Sequence, residues 1–177
     1  MKRFLFVPVF AFVTALALAQ ETAPAPNAER MELFRRDLGL IEKLVEGGLQ
    51  LAGEEDPLRR ADFCTGVAEQ LAAEIEQAAE GSENARAAEF GQHLRAMLQD
   101  GVAHNLTTAR GRIPAGSAEE KRLFEVNERA AKVLVGLEKR LQLHSVRLAA
   151  PPPDEMRHIL KVVSDGRIEV EKAAKGK

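Results

Sequence analysis

Tryptophan and tyrosine are absent from this chain, phenylalanine contributes only 8 of 177 residues, and Cys64 is the single cysteine. Several of the phenylalanines fall within the first dozen residues, so no aromatic platform is expected for stacking bases, sugars or flat cofactors. One thiol permits no intramolecular disulfide, and the core must hold the fold by itself even in an oxidising compartment. Covalent haem attachment is excluded, because no Cys-x-x-Cys-His occurs. The chain also lacks a Gly-rich phosphate loop, a Gly-x-Ser-x-Gly elbow and a His-Glu-x-x-His pair, and a non-catalytic protein is expected. Clustered basic charge is missing as well. Without Lys2 and Arg3, 23 basic residues stand against 27 acidic ones, a net charge of −4. They are interleaved along presumed solvent faces, so no nucleic-acid partner is expected.

The N-terminus is the most explicit segment. Lys2 and Arg3 form a basic start, Phe4 to Leu18 is an apolar run too short to span a bilayer, and Ala17-Leu18-Ala19 offers a small-x-small cleavage site. Residues 1–19 therefore read as a secretory signal peptide, and the protein as periplasmic or secreted. No cysteine stands at the cleavage point, so no lipid anchor is expected there, and no later stretch is apolar enough for a stable membrane span. The 158 residues from Gln20 onward suit one domain. Residues 20–26, with two prolines, read as a flexible lead-in.

The longest legible helix runs from Ser117 to Leu148. Ser117 and Glu120 form a capping-box pattern, and Leu123, Val126, Ala130, Leu134, Leu137, Leu141, His144 and Leu148 recur at steps of three and four. On its other side Glu125 with Arg129, and Glu128 with Lys132, are spaced for ion pairs within the helix. Pro151, Pro152 and Pro153 terminate it. Upstream, three more helices are predicted. The first spans Asn27 to about Ala52, with a stripe of Met31, Phe34, Leu38, Ile41, Val45, Gly48 and Ala52, widened on one flank by Leu33, Leu40, Leu44 and Leu51. The second follows the Asp56-Pro57 start signal to about Glu80, presenting Ala61, Cys64, Ala68, Leu71, Ile75 and Ala78. The third is capped by Ser82 and runs to about Arg110, with Ala87, Phe90, Leu94, Met97, Gly101, His104 and Thr108 inward.

Four amphipathic helices joined by short loops predict an all-α fold, an antiparallel up-down-up-down four-helix bundle over residues 27–148. Residues 149–177 are expected to be a Pro-rich linker and a short C-terminal appendage. It is either a short helix capped by Asp154 or a hairpin, because Ser164-Asp165-Gly166 divides two apolar runs.

Candidate chemistry is sparse. Cys64 lies on an apolar stripe and reads as a small core residue. His93 and His104 stand eleven residues apart, about 16 Å at 1.5 Å per residue, too far to share a metal. Glu89 with His93, and Glu155 with His158, supply two ligands each and no more. Di-iron bundles need paired Glu-x-x-His motifs, so neither a metal nor another cofactor is expected. His104 and His144 fall on inward stripes and would form a pH-sensitive pair if their helices were neighbours; the alternative is two half-exposed imidazoles near helix ends. Arg59, Arg60, Arg110 and Arg112 belong to one end of an antiparallel bundle, where they either form an anion or partner site or balance Glu54, Glu55 and Asp56. The expected function is an exported helical bundle acting through protein contact or self-association, as an adaptor, accessory subunit or holdase-like envelope factor. The alternative is a bundle that binds a small ligand or metal beside the small-residue seam of the second helix.

Overall fold

A computed structural model of the chain describes residues 28–147 and 152–175. The predicted signal peptide, the lead-in and the Leu148 and Pro151 helix end lie outside the described residues. Most of those described are helical: α1 (Ala28–Gly53), α2 (Pro57–Glu80), α3 (Asn84–Ala96), a π-helical segment (Met97–Ala103), α4 (His104–Arg110), α5 (Ala118–Arg147) and α6 (Asp154–Lys175). No strand occurs among them. The fold is all-α. The chain divides into two units, Met1–Ile41 and Glu42–Lys177, and the helices from α2 onward belong to the second.

The helix ends follow from local chemistry. Asp56 accepts a hydrogen bond from the Leu58 amide at 2.9 Å, with Pro57 in the first turn where no donor is missed. Ser117 accepts from the Glu120 amide at 3.1 Å, the expected half of a capping box. The other half differs: the Glu120 carboxylate takes the Gly116 N–H and the Arg110 guanidinium rather than the cap's own amide. That Arg110 bond, followed by the Gly116 amide, holds the Glu120 carboxyl below its usual range. Ser82 is not an N-cap, as the sequence suggested. Its φ is +60°, and the amides of Ser82 and Glu83 bond back to the carbonyls of Ala79 and Ala78. This is a Schellman closure of α2 with serine, not glycine, in the left-handed position.

In the second unit, α2 packs on the α3–π–α4 rod and on α5, and α6 packs on the same two partners. The core they enclose includes Ile75, Leu94, Leu98, Leu106, Leu123, Leu134, Leu137, Leu141, Met156, Ile159 and Val163, each with 2% or less of its surface exposed. Each aliphatic side chain so buried contributes roughly 1.5–3 kcal/mol relative to exposure. The predicted stripe of α2 is buried throughout, and that of α5 is buried from Leu123 to Leu141.

Residues 154–175 are not a short appendage or a hairpin. They form a 22-residue helix, and its Met156, Ile159, Val163 and Val170 belong to the core. The Asp165-Gly166 turn signal is overridden because residues 156, 159, 163, 166 and 170 recur at helical spacing. Gly166 serves a close approach: a Cβ there would lie 2.7 Å from Leu98 Cδ1. Gly91 on α3 plays the reciprocal part, since its Cβ would meet Ile159 Cγ1 at 3.3 Å. Between α6 and the α3–π rod, each side thus offers a glycine to a large side chain of the other.

The third predicted helix also departs from its expected face. Ala87 and Leu94 are buried as predicted, but beyond them Leu98, Val102 and Leu106 are buried where the pattern had placed Met97, Gly101 and His104. Four-residue steps drift about 40° each around an α-helix. The π turn absorbs that drift, because its bonds run five residues back; the His104 amide reaches the Gln99 carbonyl. Gly101 sits within this turn, and a Cβ on it would be 2.9 Å from Cys64 Sγ. The Gly101 carbonyl is met by Asn105 Nδ2 at 2.6 Å, which accounts for a nearly buried polar side chain.

Candidate functional site

The arginines singled out from sequence are set among acids. Arg59 lies 3.7 Å from Glu54 and 3.6 Å from Asp56. Arg110 pairs with Glu120, and its guanidinium lies 5.8 Å from the centre of the Phe124 ring. Arg112 and Ile113 line a cleft of about 370 Å³ together with Glu55, Asp56 and Pro57, so the start of α2 and the end of α4 do meet. Arg60 acts on Cys64 through its charge, and its Nε is shielded from solvent and lacks a hydrogen-bond partner. These arginines do not form an unopposed cationic pocket.

His104 and His144 are not brought together. Glu120 sits on Arg110, only six residues from His104, whereas His144 is 24 residues farther along α5, about 36 Å at 1.5 Å per residue. His144 is half-buried in a cleft of about 420 Å³ beside Glu76, Glu80 and Arg140. His104 is exposed on the wall of a larger groove, about 870 Å³, between the π segment with α4 and the C-terminal half of α6. Asp100, His104 and Thr107 stand on one wall, and Glu169, Lys172 and Lys175 on the other. Gln99 Nε2 donates to Glu169 Oε1 at 3.0 Å across it. The groove carries charges of both signs, and among the described residues no group of three or more His, Cys, Asp or Glu could hold a metal ion.

A third cluster lies between α2 and α5. Arg129 donates to Asp62 at 2.8 Å and to Glu69 at 2.9 Å, and Arg122 approaches Asp62 at 3.6 Å. Arg140 reaches Glu76 at 2.6 Å. Sequence spacing pairs Arg129 with Glu125. Ties between helices replace that pattern, and of the two spaced pairs Glu128 with Lys132 forms as expected, at 2.8 Å.

The feature that sequence reasoning misplaced most is α1. Within the second unit its last turns pack through Leu44, Gly47 and Leu51. A Cβ at Gly47 would overlap Phe63 Cζ, so the glycine admits the ring against the helix backbone. The residues expected to face inward, Val45, Gly48 and Ala52, are exposed, Val45 at 59%, and Leu49 beside them at 74%. In the first unit Met31, Leu38 and Ile41, from the same predicted stripe, are exposed at 40, 39 and 41%. The inward stripe of α1 in the second unit is the leucine flank. One signal could have shown it: Gly47 lies between Leu44 and Leu51, where a helix meets an aromatic ring.

No helix among the described residues is long and apolar enough to cross a membrane. Comparison of the chain with protein-family models, with curated proteins and with solved structures gave no match.

Proposed function

We propose that this is an exported, non-catalytic helical protein that works through protein contact, as an adaptor, accessory subunit or holdase-like envelope factor. The observation that carries this reading is the apolar side of α1: Val45 and Leu49 are among the most exposed large hydrophobic residues of those described. Solvated apolar side chains of this size in a row are characteristic of surfaces that meet another protein. The basic, apolar and small-residue order of residues 1–19 supports export. The short connections, and the packing of α2 and α6 on the same two neighbours, support an up-down-up-down bundle of α2, the α3–π–α4 rod, α5 and α6. The test is capture from envelope extracts of the exporting cell, wild type beside Val45→Glu. A protein retained by the wild type and lost with the variant is expected; equal capture by both would sink the reading.

A second reading, small-ligand binding, is favoured by the groove along the π segment, since π turns recur at functional sites. A ligand there would raise the melting temperature by mass action, and Val45→Glu would leave that shift unchanged.

A further inference from the structure

We propose that the outer face of α5 in a second copy of this chain covers the last turns of α1, with Val45, Leu49 and Ala52 of one copy on Val135, Leu143 and Val146 of the other. The inference rests on the protein-contact reading above and names its occupant. All six residues belong to the second unit and are exposed, Val146 at 76%. On each helix their spacing is made of steps of three and four, which keeps them on one side.

Charge selects this pairing over like with like. Glu42 and Glu46 border the stripe of α1, Lys132 and Lys139 border that of α5, and all four are exposed. Two copies of α1 would set acid against acid, and two copies of α5 base against base. Joining α1 to α5 sets acid against base. Lys132 is already tied to Glu128 at 2.8 Å, so Lys139 supplies the greater attraction.

The two surfaces flank one seam, between α2 and α5, at opposite ends. Gly47 rests on Phe63, which lines a cleft with Arg122 and Arg129. Leu143 lines another with Ala79 and Glu80. From Phe63 to Ala79 along α2 is about 24 Å at 1.5 Å per residue. A two-fold axis between these ends therefore makes the α1–α5 contact twice and closes a dimer. The short turn after Gly53 reverses α1 against α2, whereas Arg129 on Glu69 and Arg140 on Glu76 show that α5 runs with α2. The axis reverses the second copy's α5, so that helix lies parallel to α1. With Leu49 beside Leu143, Ala52 falls beside Val146, a small side chain against a projecting one, and Glu46 falls beside Lys139.

Sedimentation equilibrium of the protein recovered after expression of the full chain tests the proposal. The wild type is expected to show twice the monomer mass in a concentration-dependent way. Glu46→Lys turns two attractions into two repulsions and should weaken association about tenfold, and Lys139→Glu should do the same. Mixing the two single variants should restore wild-type association, because each of the two contacts in the mixed dimer again joins a base to an acid. A dimer formed through α1 alone would instead tighten with Glu46→Lys and ignore Lys139→Glu. That pattern, a mixture that fails to associate, masses above two copies, or a wild-type monomer each overturns the proposal. A wild-type monomer whose capture of another protein is still abolished by Val45→Glu would overturn this inference alone and leave the contact reading standing. Glu46 and Lys139 lie in solvent, so their variants remain informative even if Val45→Glu fails to fold.

Discussion

Gly101 and Cys64 are packed so closely that a methyl group added to the glycine would stand 2.9 Å from the cysteine sulfur and 3.0 Å from its Cβ. Helix propensity alone would reward Gly101→Ala by up to about 1 kcal/mol. Overpacking a filled core costs about 1–3 kcal/mol and should win here. Urea denaturation is therefore expected to show a net loss for Gly101→Ala. Cys64→Ala removes the obstructing sulfur, and the double variant should lose less than the two single losses added. Strict additivity would mean that the contact is not what excludes a side chain at position 101.

The same thiol is fully buried, and burial pushes its pKa up, with the Arg60 guanidinium pulling it part of the way back. Native protein should leave Cys64 unmodified by a thiol reagent that labels it at once in denaturant. The alkaline side of the stability profile follows. A raised folded pKa means that the native state keeps a proton which the unfolded chain releases. The stabilisation is complete below the ordinary thiol pKa and is lost as pH climbs through the folded value. Wild type should lose stability faster than Cys64→Ala above that ordinary range, as compared by thermal melts at stepped alkaline pH.

Ser82 holds a left-handed φ of +60° at the close of α2, where the Schellman hydrogen bonds fix it. A side chain there costs about 1–2 kcal/mol, which glycine avoids, while glycine loses somewhat more backbone freedom on folding. Ser82→Gly should stabilise the protein by about 1 kcal/mol. A drop in stability measured by chemical denaturation would show that the serine hydroxyl has a stronger role.

Ile159 is fully buried on α6 and lies against Gly91 of α3. Ile159→Ala should cost about 2–5 kcal/mol, the range for truncating a buried isoleucine. A change within a few tenths of a kcal/mol would return residues 154–175 to the status of an appendage. Equilibrium unfolding distinguishes the two outcomes.

How much was legible depends on whether one apolar stripe competed with another. For α2 and α5 a single stripe exists, and Ala61 to Ala78 and Leu123 to Leu141 are buried as their spacing predicts. In α1 two stripes lie side by side, and periodicity cannot choose between Val45 and Leu44; Phe63 pressing on Gly47 chooses. In α6 the Asp165-Gly166 signal is local, while the reason for Gly166 is Leu98, far away in sequence. Arg59 and Arg110 could be read as candidate contacts, but their carboxylate partners Glu54, Asp56 and Glu120 decide what they can do. The groove beside His104 was not legible, because it exists only once α6 has docked along the π segment.

That π turn gives the α3–α4 rod a change of phase. Above it and below it the helix obeys the ordinary period, yet the two halves would point their apolar sides about 100° apart if no turn were widened between them. The widened turn carries the equivalent of one surplus residue, and Asn105 supplies the bond that keeps it closed. Loss of a single residue at exposed Asp100 would shorten the turn to an ordinary one. It would leave α4 facing its old neighbours only by giving up the surplus, and the groove wall with it. A rod built this way is tolerant of length and intolerant of straightening, so the outward place of His104 is a property of the turn before it rather than of the histidine itself.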